Sequence, residues 1–257
     1  MAEFDRPTIA AARAGTGAAI DEGLRSYMLK VYNYMGIGLV VTGLVAWFAS
    51  AAAVTTDPAQ AVGALENGQL VTQWGALLYG SPLMWVVALS PLAIVLVLSF
   101  GINRLSVPAA QAIFWGFSAL MGLSLSSIFL VYTDASIAKV FFITAATFGA
   151  MSLYGYTTKR DLTSIGNFLI MGLIGLIIAS IVNIFMQSSM LEFAISIIGV
   201  LIFVGLTAYD TQKIKESYSA SFGADVLAKG AIMGALNLYL DFINLFMMLL
   251  RLFGNRE

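Results

Sequence analysis

Seven long apolar runs, separated by shorter polar stretches, dominate the chain. They are residues 31–53, 83–103, 108–131, 137–156, 164–185, 190–210 and 229–252. A helix rises about 1.5 Å per residue, so a run of about 20 apolar residues crosses about 30 Å of hydrocarbon. The pattern therefore predicts an all-α integral membrane protein with seven transmembrane helices.

The polar stretches between the runs predict which side each end lies on. Residues 54–82 are rich in turn residues and contain no Lys or Arg, so they form the one sizeable external loop. The basic residues concentrate on the opposite side, at Arg6, Arg13, Arg25, Lys30, Arg104, Lys159, Arg160, Lys213, Lys215 and Lys229. By the positive-inside rule the N-terminus is cytoplasmic.

Two bases at the end of the chain, Arg251 and Arg256, leave two topologies open. Seven full crossings place the C-terminus outside, whereas a re-entrant last segment returns both bases to the cytoplasm. We favour seven crossings. Residues 1–24 are predicted to be a cytoplasmic tail without a cleavable signal peptide, and residues 25–254 a single transmembrane domain.

The amino-acid composition limits which catalytic and metal-binding sites the chain can form. Of 257 residues, 60% are hydrophobic and 11% are charged, and the chain has no cysteine and no histidine. Disulfides, thiolate or imidazole metal sites and Ser-His hydrolysis are therefore excluded. The net charge of -1 gives no pull toward nucleic acid, so we expect no nucleic-acid partner.

The last apolar run, "GALNLYLDFINLFMMLLRLFG" at residues 234–254, contains one acid, Asp241. A charge near the bilayer centre costs about 2.5 to 3.5 kcal/mol on insertion scales, so Asp241 should face protein or water. Asn237 and Asn244 fall on the same side of this helix at helical spacing and are candidates to line a polar path. The alternative is a structural carboxylate held by neighbouring donors.

A second acid, Asp210, ends the sixth run in "GLTAYDTQKIKESY". If the sixth and seventh helices pack side by side, Asp210 and Asp241 can share a proton and act as a proton sensor, since two close carboxylates do not both ionise freely. The ionised pair would also offer the oxygen ligands that Ca²⁺ prefers, which makes both acids candidate metal ligands. Alternatively, Asp210 is a solvated acid paired with Lys213 or Lys215.

Two further polar positions are candidates of a weaker kind. Arg104, at the end of the second run, could bridge the two carboxylates or could be an anchor at the membrane interface. Ser124, in "MGLSLSSIFLVYT", could line a polar path or could bond to its own helix. Small residues such as Gly172 and Gly175 in "GLIG" allow helices to approach closely.

Four segments together resemble the BAX inhibitor-1 family over residues 25–254. They are "AYDTQKIK", "LNLYLDFINLFMMLLRLFG", "GLSLSSIFLVYT" and "KRDLTSIGNFL". The resemblance implies seven helices with the last one enclosed by the other six, and a pH-sensitive Ca²⁺ leak across the membrane. By motif it assigns the proton sensor to Asp210 and Asp241, with Arg104 as the arginine that latches onto the pair. Some members carry a glutamate in the second helix where this chain has Ala93.

The ending "RLFGNRE", without a lysine-rich tail, suggests a bacterial inner-membrane member of this family. We expect no enzyme activity and no tightly bound cofactor, with the lipid bilayer, Ca²⁺ and protons as partners. A second hypothesis is a non-transporting protein that binds other membrane proteins, such as a quality-control protease. A third, an intramembrane aspartyl protease, is disfavoured because "LYLD" around Asp241 is bulky where such proteases have Gly-x-Gly-Asp.

Overall fold

The computed structural model describes residues 6–65 and 68–255. Residues 1–5 of the predicted tail and Arg256 lie outside that range. The elements, in chain order, are α1 Arg6–Ala53, β1 Val54–Thr55, β2 Ala61–Ala64, β3 Leu70–Thr72, α2 Gln73–Gly80, α3 Leu83–Gly101, α4 Val107–Leu125, α5 Ile128–Val131, α6 Asp134–Thr157, α7 Thr163–Met186, α8 Ser189–Glu216 and α9 Ala224–Phe253.

Seven helical segments of the described chain are long and apolar enough to cross a membrane. They are Glu22–Ala53, Leu83–Gly101, Val107–Val131, Asp134–Thr157, Thr163–Met186, Ser189–Glu216 and Ala224–Phe253. The predicted all-α fold with seven spans is confirmed, and most predicted ends agree to within a few residues. The first helix starts well before the predicted span, because helix α1 continues back through the tail to Arg6.

Local polar residues set where several helices begin. The hydroxyls of Ser106, Thr133 and Ser188 accept hydrogen bonds from backbone N–H groups in the first turns of α4, α6 and α8. Each hydroxyl satisfies a donor that has no partner within its own helix. The third span breaks at Ser126, whose hydroxyl donates to the Leu123 carbonyl at 2.6 Å, so that α4 and α5 are separate.

The loop at residues 54–82, predicted to be external, has more regular secondary structure than a turn-rich segment predicts. Its three short strands form an antiparallel sheet in the order β1-β3-β2, and α2 follows directly. Thr72 caps α2, accepting from the Gly75 backbone N–H at 3.1 Å. A Cβ on Gly75 would lie 2.2 Å from the Ala53 carbonyl oxygen, so the start of α2 sits directly against the end of α1. The loop therefore forms a small cap on the bundle.

Helix α9 occupies the inside of the bundle. It packs against α8, α1, α6, α4 and α3, and α7 packs mainly on the outer side of α8. Glycines let some of the surrounding helices approach closely. A Cβ on Gly155 of α6 would lie 2.2 Å from the Ala208 carbonyl oxygen of α8, and one on Gly122 of α4 would lie 2.5 Å from the Thr42 carbonyl oxygen of α1. The last helix is interior, as predicted.

Candidate functional site

Asp241 lies near the middle of α9 with only 5% of its surface exposed. Its Oδ2 atom is buried and has no hydrogen-bond partner among the described residues. A buried polar atom without a partner is destabilising by about 1 to 3 kcal/mol, and more when it is charged. The fold therefore keeps a carboxylate in a place where packing alone would favour an apolar residue.

Asp210 reaches the same point from the neighbouring helix. It lies about two turns before the end of α8, which packs along α9. The carboxyl groups of Asp210 and Asp241 lie close enough to interact with each other. A hydrogen bond between two carboxyl groups requires that one of them carry a proton, since an ionised carboxylate is only an acceptor. The geometry thus fits a pair that holds one proton between two acids.

The bases near this pair have different partners. Lys213 is the cation whose charge acts on Asp210. Its Nζ also lies 5.7 Å from the centre of the Tyr209 ring. Lys215 instead donates to the Tyr156 carbonyl oxygen at 2.8 Å, which ties α8 to α6. Of the two lysines considered as charge partners of Asp210, Lys213 is therefore the one that acts on it, while Lys215 is bonded to α6.

Arg104 is exposed in the turn that follows α3. Among the described residues, the groups that act on the two aspartates are Lys213 and the aspartates themselves. An arginine bridge to the pair would need the end of α3 or the long side chain of Arg104 to take another arrangement. The latch function of Arg104 stays a prediction.

The two asparagines of α9 lie on its least covered face. Asn237 and Asn244 are half-buried, in line with the half-buried Met233, Leu240 and Met247. The Asn244 Nδ2 donates to the Leu240 carbonyl oxygen at 2.8 Å, so its amide is bonded within its own helix. Ser124 is half-buried in the last turn of α4. A polar path through these three residues stays a prediction.

A buried tyrosine, which the sequence analysis missed, joins three helices next to the acid pair. The Tyr239 hydroxyl lies 2.6 Å from the Thr42 hydroxyl, and Tyr239 is fully buried. Thr42 in turn donates to the carbonyl oxygens of Gly38 and Ser118. The bonds connect α9, α1 and α4 two residues before Asp241. In the sequence, this bond could have been suspected from a Tyr and a Thr that lie inside otherwise apolar runs.

A second missed network starts beside Asp210. Thr211 bonds to the Ser152 hydroxyl at 2.9 Å, and Ser152 bonds to the Tyr32 hydroxyl at 2.6 Å, which links α8, α6 and α1. Gln212 accepts from the Leu162 backbone N–H and donates to the Arg160 carbonyl oxygen, both at 2.8 Å. The end of α8 that carries Asp210 is therefore held on two sides.

Two carboxylates supply only part of a calcium site. Ca²⁺ takes about six to eight oxygen ligands, and within the described residues no three or more acidic, His or Cys side chains cluster. A tightly held resident ion would need several further oxygens from water or the backbone. Whether the pair contacts Ca²⁺ stays a prediction.

An acid pair between the inner helix and its neighbour, inside seven apolar helices, defines an integral membrane protein with a buried titratable centre. The sequence profile described as "Inhibitor of apoptosis-promoting Bax1" matches residues 24–257. The chain belongs to the Bax inhibitor-1 family, as the resemblance predicted.

Three bacterial relatives are similar over nearly the full length. The chain is 50% identical to an uncharacterized protein of Rickettsia prowazekii, with 92% of each chain covered. It is 48% identical to inner membrane protein YbhL of Escherichia coli, with 91% of this chain and 94% of that one covered. An uncharacterized protein of Caulobacter vibrioides is 47% identical, with 93% and 92% covered.

Proposed function

We propose that this protein is a proton-regulated calcium leak in a bacterial inner membrane, with its N-terminus in the cytoplasm. The name of the Escherichia coli relative supports the location, and the distribution of bases supports the orientation. Ca²⁺ is the transported ion and not a resident cofactor. The observation that carries the proposal is the contact between Asp210 and Asp241 inside the bundle.

Gain or loss of the proton that Asp210 and Asp241 share can change the structure of the bundle. Two like charges about 4 Å apart repel by about 4 kcal/mol at an effective dielectric constant of about 20. Moving a two-state equilibrium from 1:99 to 99:1 takes about 5.5 kcal/mol. Because α8 and α9 each carry one acid, gain or loss of the shared proton acts directly on the contact between these helices. The inner helix is the element whose position such a change would alter.

The test is Ca²⁺ flux into dye-loaded proteoliposomes across about pH 5 to 8, a window around physiological pH. We expect the native protein to pass Ca²⁺ at a rate that depends on pH, and D210N/D241N to lose that dependence. Asp225→Asn is the matched control, because Asp225 is an exposed acid in the first turn of the same helix. Unchanged pH dependence in the double variant would refute the sensor.

A second candidate function is binding of another membrane protein, such as a quality-control protease, without transport. The observation that favours it is the wide apolar face of α7, where Phe168, Phe185 and Met186 are more than 60% exposed. Proteoliposomes with no flux above empty vesicles at any pH, together with a membrane protease that copurifies with the chain, would favour this function. We propose no catalytic role, because Tyr239, Leu240 and Phe242 flank Asp241 closely.

A further inference from the structure

A groove of about 550 Å³ lies between α1 and α6, well within the volume range of small-molecule sites. On α1 it is lined by Arg25, Leu29 and Tyr32, and on α6 by Phe148, Gly149 and Tyr156. Leu29 is 52% exposed, so the groove opens on the outer surface of two membrane spans. Whatever occupies it comes from the lipid phase.

The groove has a charged end and an apolar end. The helices α1 and α6 run antiparallel, so Arg25 and Tyr156 mark one end, and Phe148 lies about two turns deeper. Arg25 is exposed at that end and is the cation of the lining. Two charged residues stand near it outside the lining: the Lys215 Nζ donates to the Tyr156 carbonyl oxygen, and Glu22 is exposed one turn before Arg25. Arg25 therefore gives the mouth of the groove a positive charge, with Lys215 beside the lining residue Tyr156.

The polar atoms inside the groove already have partners. The Tyr32 hydroxyl bonds to Ser152, and Ser152 bonds to Thr211. Below the Arg25 end, the hydroxyls of Tyr32 and Ser152 are therefore already bonded, while a hydrocarbon chain would contact Leu29, Phe148 and the side of Tyr156. From Phe148 to Tyr156 the groove spans eight residues, or about 12 Å of helix.

The other half of the same seam provides an internal comparison. A smaller cavity of about 100 Å³ lies nearer the external cap, next to Leu39 of α1, Phe141 of α6 and Phe246 of α9, and α4 and α5 also line it. It has no cation in its lining, and Thr42 within it is bonded to Tyr239. Of these two cavities, the larger one is also the one with a base in its lining. An amphiphilic molecule would therefore bind with its anionic head at the Arg25 end and its apolar chain toward Phe148.

We propose that this groove binds one acyl chain of an anionic phospholipid, with the lipid phosphate held between Arg25 and Lys215. The argument rests on complementarity of charge at the mouth and of hydrocarbon in the body, and it is independent of any transport of calcium. The lipid would come from the leaflet that faces the basic end of the bundle. It would brace α1 against α6, which flank the inner helix.

The experiment is native mass spectrometry of the full chain in mild detergent, titrated with dioleoyl phosphatidylglycerol or with dioleoyl phosphatidylcholine. We expect one lipid to be retained with a preference for phosphatidylglycerol, and Arg25→Gln to reduce that preference about fivefold, the effect of one base near an anionic surface. Arg25 is exposed, so the substitution should leave the fold intact.

A second variant tests the acyl chain site. Gly149 lines the groove, and a Cβ at this position meets nothing within 4 Å, so Gly149→Phe is the substitution chosen to fill the groove. Gly175→Phe is the matched control on α7, since Gly175 is equally open. We expect loss of the retained lipid in Gly149→Phe alone. Equal retention of both lipids by the native chain, or unchanged preference in Arg25→Gln, would overturn the proposal.

Discussion

The fifth and seventh spans, α7 and α9, are close in length and opposite in environment. In the most apolar 18-residue window, 72% of α9 is buried and only 6% of α7 is. Yet α7 is the more apolar of the two, and α9 contains Asp241, Asn237 and Asn244. In a soluble protein the more apolar helix would be the buried one. Here the relation is reversed.

The reversal has a physical reason. Lipid tails are as apolar as Leu, so helices in a bilayer gain little from hiding apolar side chains from lipid. Placing a polar group in lipid, in contrast, costs several kcal/mol. The buried acid Asp241 therefore favours an inside position for α9, while α7 can leave Phe185 and Ile177 facing lipid.

The largest expected effect comes from substituting a buried apolar residue of α9, compared with an exposed apolar residue of α7. Leu245 of α9 is fully buried, and Ile177 of α7 is 51% exposed. We expect Leu245→Ala to lower the free energy of unfolding by about 2 to 5 kcal/mol, because it leaves a cavity without contacts, and Ile177→Ala to stay within about 0.5 kcal/mol. Unfolding in a denaturing detergent measures both. Similar losses at the two sites would mean that α9 is not the tightly packed helix.

A smaller effect separates the two faces of α7. A Cβ on Gly166 would lie 2.4 Å from the Tyr209 ring of α8, whereas one on Gly175 meets nothing within 4 Å. We expect Gly166→Ala to destabilise the protein by about 1 to 3 kcal/mol through overpacking. Gly175→Ala should be neutral or slightly stabilising, since Ala is the better helix former. Thermal unfolding of both variants in one detergent tests this, and tolerance of Gly166→Ala would show that α7 does not seat on α8.

The smallest effect compares hydroxyls in the two helices. The Tyr239 hydroxyl of α9 bonds to Thr42 of α1, and the Ser180 hydroxyl of α7 bonds to the Leu176 carbonyl of its own helix. We expect Tyr239→Phe to destabilise by about 0.5 to 1 kcal/mol, in line with single hydrogen bonds in membrane proteins, and Ser180→Ala to have no measurable effect. Chemical unfolding of the two variants decides it. A silent Tyr239→Phe would mean that the bond to Thr42 does not hold α9 to α1.

Much of the candidate site was readable before the fold was known. Asp241 stands out in its apolar run, and insertion energetics alone place it away from lipid. The contact between Asp210 and Asp241 could be predicted only on the condition that their helices pack side by side, because the sequence does not state which helices are neighbours. The small sheet within residues 54–72 was missed, since strands of two to four residues carry too little alternation to predict.

Close helix contacts show the same limit. The spacing of Gly172 and Gly175 indicated a packing face, but Gly175 is open, and the tight approaches occur at Gly122, Gly155 and Gly166. Every one of these glycines looks alike in the sequence. Only the neighbouring backbone or ring decides whether a Cβ fits.

The sequence by itself determined the membrane environment, the seven spans and the presence of acids that lipid cannot accommodate, because these follow from length, hydropathy and the energy of a charge in hydrocarbon. The tertiary structure decided the rest: that Asp210 meets Asp241, that Lys213 acts on Asp210 while Lys215 bonds to α6, and that a groove with Arg25 at its mouth opens between α1 and α6. These are properties of neighbours across helices, and neighbours far apart in the chain are set by packing and not by local pattern.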